Sequence, residues 1–314
     1  MIAFGPIPSR RLGRSLGINH VPVKTCSYAC VYCQVGRTTT KSLDRQAFQQ
    51  PDKIVRAVRD KIAKVEAAGD RIDYLSFVPD GEPTLDINLG RMIDLLRPLG
   101  YKIAVITNAS LIWRNDVRED LMRADWVSLK VDGVEDRVWR RVSRPHPDLD
   151  LDTILGGMKT FAEAFDGFLA SETMLVRGLN DGLPHLKAVA DFLASLKPDA
   201  AYLSIPTRPP AQERVRAPRE ADIHRAYQIF VERLKRVELL IGYEGDAFAS
   251  TGDAEHDILS ITAVHPMKEK AVLSLLDKAG ADPSLLETMV AEGKLLRVTY
   301  EGDTFYMRKI ASRG

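Results

Sequence analysis

This chain of 314 residues has only three cysteines, a net charge of +1 and no apolar run approaching the length of a membrane span. Each shortage excludes something. An odd number of cysteines packed within eight residues argues against a disulfide framework and for a reduced compartment. With 44 Lys and Arg against 43 Asp and Glu, there is no global attraction to nucleic acid or to an anionic membrane. The opening residues, Met-Ile-Ala-Phe-Gly-Pro-Ile-Pro-Ser-Arg-Arg, lack the charged, apolar and small-residue order of a secretory signal. A cytoplasmic location without membrane contact is therefore expected. What the chain does have, 45% hydrophobic and 28% charged residues, suffices for a full core and more than one domain.

The cysteines are Cys26, Cys30 and Cys33, within Lys-Thr-Cys-Ser-Tyr-Ala-Cys-Val-Tyr-Cys-Gln-Val-Gly at 24–36. So dense a group of soft ligands points to a metal centre, because thiolates favour zinc, copper(I) or iron–sulfur clusters. A cluster that only transfers electrons is usually closed by four cysteines, whereas one that also binds a substrate needs a vacant position. Zinc held by the three cysteines and His20 is the rival, although structural zinc sites pair two short clips and this sequence offers one. The spacing, with Tyr32 just before the third cysteine, resembles the CxxxCxΦC signature of the radical S-adenosylmethionine (radical SAM) enzymes. That resemblance implies a [4Fe-4S] cluster with three irons on the cysteines. It leaves the fourth iron for the amine and carboxylate of S-adenosylmethionine.

Around this loop, strands alternate with helices. Residues 1–17, where Arg10, Arg11 and Arg14 sit among glycines and prolines, read as irregular chain. The arginines are either anion ligands or surface ion-pair partners. A first strand is expected over 18–23, leading into the cysteine loop. Further strands are expected over 73–78, 102–107, 126–131, 168–176 and 202–205. Ile54, Val55, Val58, Ile62 and Val65 recur at helical spacing after Pro51-Asp52. Other helices are expected near 86–97, 115–123, 152–165, 186–196 and 223–234. The alternation means a parallel sheet with right-handed crossovers. The fold class is α/β, and six units fit the partial (βα)6 barrel that the resemblance implies. The pattern itself does not separate an open barrel from a doubly wound sheet. Both place ligands at the carboxyl ends of the strands.

Asp80-Gly81-Glu82-Pro83 at the second strand end resembles the family's Gly-Gly-Glu motif, which accepts hydrogen bonds from the cofactor's ammonium, a group with donors alone. Asp80 stands where the family has its first glycine, and a plain turn would use the same residues. Thr107-Asn108 resembles the Thr-Asn-Gly turn, with Ala109 for the glycine. Ser128 and Lys130 share one strand face. Ser128-Leu129-Lys130 resembles the segment that meets the cofactor's ribose, and Lys130 faces either the cofactor carboxylate or a neighbouring acid. Tyr32 matches an aromatic position near the adenine, or is a core tyrosine. Glu172, charged within an apolar strand, requires a partner or a cavity, and its segment resembles the fifth strand of enzymes related to the molybdenum-cofactor cyclase. The resemblance thus implies Tyr32, Gly81, Glu82, Asn108, Ser128, Lys130 and Glu172 at the cofactor.

Residues 1–245 are expected to form the barrel and 255–314 a small domain of three helices and a hairpin, resembling a winged helix. Its last helix carries Glu287 and Glu292 against Lys294, and 255–314 holds eight basic and nine acidic residues. That charge favours a protein-contact, lid or structural role over DNA binding. The resemblance implies an enzyme that cleaves S-adenosylmethionine reductively to a 5′-deoxyadenosyl radical, which abstracts hydrogen from a substrate. It also implies an electron donor of the flavodoxin or ferredoxin type. Arginine groups at 10–14, 137–144 and 208–219 permit RNA or a phosphorylated small molecule as substrate. The alternative is a zinc- or cluster-bearing regulator that binds nucleic acid through its winged helix.

Overall fold

The computed structural model describes residues 2–38, 40–241, 248, 250, 252–264 and 266–309. The first residues pair as an antiparallel hairpin, β1 (Ala3–Ser9) with β2 (Gly13–Ile18). This corrects the expectation of irregular chain over 1–17 and of a first strand at 18–23. Residues 19–23 already belong to the loop. The glycines serve the hairpin: Gly17 has no side chain where the Phe4 ring lies, and Gly13 turns the chain at φ 64°.

The cysteine loop follows β2 and carries two two-residue strands, β3 (Thr25–Cys26) and β4 (Thr40–Lys41), paired in parallel. Then the expected alternation begins. In α1 (Pro51–Ala67) the proline sits in the first turn, Asp52 complements the helix N-terminus, and Ile54, Val55, Val58, Ile62 and Val65 are buried as one stripe. Next come β5 (Tyr74–Phe77), a 3-10 turn at Pro83–Leu85, and α2 (Leu89–Leu96), ending in a second 3-10 turn. Gly100 stops this segment with φ 80°. β6 (Lys102–Thr107), α3 (Asn115–Leu121), β7 (Trp126–Lys130), α4 (Asp136–Ser143) and α5 (Leu151–Ala164) follow. The barrel part ends with β8 (Phe168–Met174), α6 (Leu183–Leu196), β9 (Ala200–Ser204), α7 (Glu220–Val231) and β10 (Val237–Leu240). Both α4 and β10 escaped the sequence pattern, α4 being short and rich in charge and β10 only four residues long.

The sheet runs β1-β2-β5-β6-β7-β8-β9-β10, with β1 antiparallel to β2 and every other pairing parallel. Among the described residues its edges do not pair, yet Arg10 at the β1–β2 turn donates to the Leu239 carbonyl on β10 at 3.3 Å. The sheet therefore curls into an open half-barrel. The large apolar core lies between its outer face and the helices. Inside the curl, Ala104, Ala170 and Ala200 leave room for Leu12, Trp126 and Tyr202.

The last elements are α8 (Ala254–Val264), β11 (Met267–Lys268), α9 (Glu269–Lys278), α10 (Ser284–Ala291), β12 (Leu295–Tyr300) and β13 (Asp303–Arg308). The three strands form a sheet of order β11-β13-β12. Their apolar cluster is shared with Phe4 and Ile7 of β1, which pack with Ile258, Ile261 and Leu275. A buried ion pair, Lys61 Nζ to Asp257 Oδ1 at 3.2 Å, joins α1 to α8. Among the described residues no helix is long and apolar enough to cross a membrane.

Candidate active site

All the sequence-predicted site residues lie at or near the carboxyl ends of the parallel strands, on the loop after β2 or on the loops and strand ends facing it. The cysteine loop is stitched down by backbone hydrogen bonds: Val31 N to Val142 O at 3.0 Å, Ala29 N to Ser143 O at 3.1 Å, and His146 N to Ser27 O at 2.8 Å. Cys33 N bonds to Cys30 O and Gly36 N to Cys33 O, which winds the loop tightly around its thiols.

Beneath Cys26 lies one polar network. The Glu82 carboxylate is buried and caps the 3-10 turn: Oε1 accepts from Thr84 N at 3.1 Å, Thr84 Oγ1 at 2.7 Å and Thr107 Oγ1 at 2.5 Å. Its Oε2 accepts from Asn108 N at 2.8 Å. Burial pushes Glu82 up, while these donors pull it back. Asn108 Nδ2 in turn donates to Cys26 Sγ at 3.4 Å and to Ser27 Oγ at 3.0 Å. Glu82 thus clamps the ends of β5 and β6 below the cysteine loop. Gly81 is required for packing, since a Cβ there would overlap the Thr25 carbonyl oxygen. Asp80 accepts from Asn19 Nδ2 at 2.8 Å through one oxygen, and the other is buried without a hydrogen-bond partner among the described residues. Burial brings Asp80 up to about 6.

A second network occupies the ends of β7, β8 and β9. Lys130 Nζ donates to Glu172 Oε1 at 2.7 Å and stands 5.1 Å from the Tyr32 ring centroid. Glu172 also takes Arg11, from the β1–β2 turn, and Ser204 Oγ at 3.0 Å. Burial would raise Glu172, but Lys130 and Arg11 hold it down to about 2. Tyr32 hydroxyl donates to Asp132, which also accepts from Met174 N at 2.8 Å. Ser128 lies two residues below Lys130 on the same face, and its buried hydroxyl has no hydrogen-bond partner among the described residues. Tyr32, Lys130 and Glu172 therefore stand together, as do Gly81, Glu82 and Asn108.

Sequence reasoning missed Asp132 and Ser204, and it named Arg11 as an anion ligand or ion-pair partner without its partner Glu172. Asp132 had a signal, lying two residues after Lys130 as a strand-face neighbour. The pairing of Arg11 with Glu172 had none, since 161 residues separate them. The arginines at 10–14 are absorbed by the fold: Arg11 by Glu172, Arg14 by Asp70 and Arg10 by Leu239.

The donor set fits an iron–sulfur cluster. The thiols are the only cysteines in the chain, and Cys26 Sγ accepts N–H donors from Tyr28 and Asn108, each at 3.4 Å. Such contacts tune clusters. Burial pushes the Cys26 thiol up to about 12, and raises Cys30 and Cys33 too. A bound cation is what makes such thiols thiolates. Zinc fits worse. His20 is fully buried, 3.3 Å from Pro83 O and edge-on to Phe77 at 5.0 Å. Among the described residues no three His, Cys, Asp or Glu side chains converge on a single metal position.

The radical SAM superfamily model matches residues 21–193, more than half of the chain. The chain belongs to the radical SAM superfamily. It is 46% identical to a UPF0026 protein of Methanocaldococcus jannaschii, covering 99% of this chain and 97% of that one. Its fold is similar to TYW1 bearing a lysine–pyruvate adduct, with a TM-score of 0.54 and 14% identity over 70% of this chain and 74% of that one. It is also similar to Streptococcus suis SuiB bound to S-adenosylmethionine, with a TM-score of 0.52 and 14% identity over 71% of this chain and 49% of that one. This radical SAM enzyme belongs to a family that uses a [4Fe-4S] cluster and S-adenosylmethionine.

Proposed function

We propose that Cys26, Cys30 and Cys33 hold three irons of the cluster, and that the chain generates a substrate radical from S-adenosylmethionine. The observation that carries this is three thiols on one loop at the carboxyl ends of parallel strands, in a chain with no fourth cysteine. When bound, the cluster supplies the electron that splits the sulfonium of S-adenosylmethionine, giving methionine and the 5′-deoxyadenosyl radical that takes hydrogen from the substrate.

The residues around it divide the remaining tasks. Glu82 and Gly81 brace the loop from below, and Asn108 orients Cys26 through its amide. On the other side Lys130, held by Glu172 beside the Tyr32 ring, offers an ammonium to the cofactor's carboxylate. The unpartnered Ser128 hydroxyl is available to its ribose. The asparagine, threonine and glutamate contacts are made within the protein, so the site is set before ligands arrive.

An external one-electron donor of flavodoxin or ferredoxin type completes the reaction. Residues 1–245 serve as the catalytic unit and 255–314 as a winged-helix-like unit, an assignment supported by the order of α8, β11, α9, α10, β12 and β13. Its packing on Phe4 and Ile7, and the pairing of Glu287 with Arg297, support a structural or protein-contact role.

Anaerobic reconstitution with iron and sulfide tests the proposal. A brown protein that releases 5′-deoxyadenosine only with dithionite and S-adenosylmethionine supports it. Full turnover after Cys26→Ala, Cys30→Ala or Cys33→Ala contradicts it, as does a colourless protein holding one zinc.

A further inference from the structure

We infer that the mouth of the half-barrel binds a phosphodiester strand, and that this strand carries the substrate group. The inference rests on the proposed function and adds the substrate class.

Four segments meet at this mouth: the cysteine loop at 28–41, the α4 region at 134–148, the β8–α6 loop at 175–182 and the β9–α7 loop at 205–219. Backbone bonds join them, with Val31 N to Val142 O at 3.0 Å, Gln212 N to Val31 O at 3.1 Å and Arg177 N to Arg216 O at 3.0 Å. Val31, Val142, Val176 and Val215 pack in one cluster beneath. The four segments therefore present one continuous surface around Cys30 and Cys33.

That surface is charged out of proportion. These segments hold eleven Arg and Lys against five Asp and Glu, in a chain whose net charge is +1. The rest of the molecule is thus net acidic. Pairing shows the same asymmetry. Away from the mouth most arginines sit on carboxylates, as Arg45 does on Asp116, Arg123 on Asp94 and Arg233 on Asp191, with Arg56 and Arg59 of α1 among the exceptions; at the mouth Arg140 sits on Asp136. At the mouth Arg141, Arg144, Arg177, Arg214, Arg216 and Arg219 have no carboxylate partner among the described residues. Three of them are anchored on neutral acceptors: Arg141 on Gly178 O at 3.3 Å, Arg214 on Gln212 Oε1 at 3.3 Å and Arg216 on Val215 O at 2.8 Å. Such anchoring restrains the guanidinium and leaves its charge uncompensated.

Guanidinium forks match phosphate oxygens in pairs. A lone phosphate on a small molecule would call for donors converging in one pocket. Here most of the guanidinium groups are exposed and come from separate loops, which suits repeated phosphates along a strand. An aromatic side chain borders the same rim: Tyr300 of β12 donates to Pro206 O at 3.3 Å. Cations beside a partly exposed aromatic ring are the parts from which single-strand grooves are built. Because the other three segments lie against the cysteine loop at Val31, between Cys30 and Cys33, a strand lying on the rim passes beside the cysteines.

The test is binding of labelled RNA and DNA strands of about 15 nucleotides to the reconstituted full chain, followed by fluorescence anisotropy. Affinity should fall roughly a hundredfold between about 50 and about 200 mM salt, the slope of a few phosphate contacts. Arg214→Glu combined with Arg216→Glu should weaken binding at least tenfold. Arg56→Glu combined with Arg59→Glu, removing equally unpaired charge from α1, should change it less than twofold. Tighter RNA binding assigns the 2′-hydroxyl form and tighter DNA binding the other; both retain the strand. Absence of binding at low salt overturns the inference, and so does equal weakening by the α1 pair. Rim-dependent capture of an acidic flavodoxin without any strand binding also overturns it. The same preparation is assayed for iron and for 5′-deoxyadenosine release. Cleavage without strand binding defeats this inference alone, and strand binding without iron defeats the proposed function alone.

Discussion

The carbonyl oxygen of Thr25 fills the space that a side chain on Gly81 would need, and Glu82 N donates to that same oxygen at 3.0 Å. The cysteine loop is seated on a bare stretch of backbone at the end of β5. Gly81→Ala should lift the loop from this seat while leaving the distant core intact. Iron bound after reconstitution should fall below half of the parent's, with far-UV circular dichroism unchanged. A full iron complement in the variant would show that the close approach is dispensable.

Asn108 offers a more local lever. Its Nδ2 donates to Cys26 Sγ at 3.4 Å, and loss of a donor to a cluster sulfur disfavours the reduced, more negative state. Asn108→Ala should lower the reduction potential by about 60 mV, equivalent to about 1.4 kcal/mol for one electron. Potentiometric titration followed by electron paramagnetic resonance measures it, separately from turnover.

Two groups weaken the fold in acid in separable windows, while Asp80 and Asp86, raised to about 6 by burial, act in the opposite sense. His20 is buried and held neutral, its pKa lowered to about 4 from 6.5 by burial. The unfolded chain takes up that proton first, so stability falls as pH drops from 6.5 towards 4, by up to about 3 kcal/mol. Glu172 is depressed to about 2 from 4.5. Its contribution is fully present above 4.5 and disappears as pH falls through that value towards 2. Urea midpoints at several pH values should show His20→Phe flattening the upper window and Glu172→Gln the lower one. At pH 7, Glu172→Gln should also cost about 3 kcal/mol, because Arg11 then loses its carboxylate and Lys130 keeps only Asp132 at 3.8 Å.

Ala109 occupies the left-handed region with φ 59° and is buried. Ala109→Gly should be neutral or stabilising by up to about 1 kcal/mol, since relief of the backbone offsets the greater freedom of the unfolded glycine. Ala109→Val should destabilise by about 2 kcal/mol or more, because a branched side chain suits that conformation poorly. Thermal melts of both variants decide the sign.

Phe4 lies across Gly17 and against α8, only 3% exposed. Phe4→Ala should cost about 3–5 kcal/mol. It should also raise amide hydrogen exchange in 254–262 and 267–308 more than in β6 or β7, which do not touch it.

The cysteine loop and the helices with a clean apolar stripe were legible because their signals are local. Three thiols in eight residues, or Ile54, Val55, Val58, Ile62 and Val65 in series, need no knowledge of the rest of the chain. The hairpin over 3–18 was not legible, since Gly5, Pro6, Pro8 and Gly13 read as breakers. An edge strand tolerates such residues; Gly13 turns the chain at φ 64°, and Gly17 leaves room for the Phe4 ring. At the site, the spacing of Ser128 and Lys130 gave a shared face. The partners were hidden: Glu82 meets Thr107 25 residues away, and Glu172 meets Arg11 161 residues away. Gly81 shows a further limit, because its residue type was visible while its packing reason, the Thr25 carbonyl, was not.

Strand β1 turns one face to Phe248 and to α8, near the opposite end of the polypeptide. During synthesis its apolar surface must therefore wait for partners that leave the ribosome some 250 residues later. The growing chain spends that interval with Phe4 and Ile7 on that face uncovered.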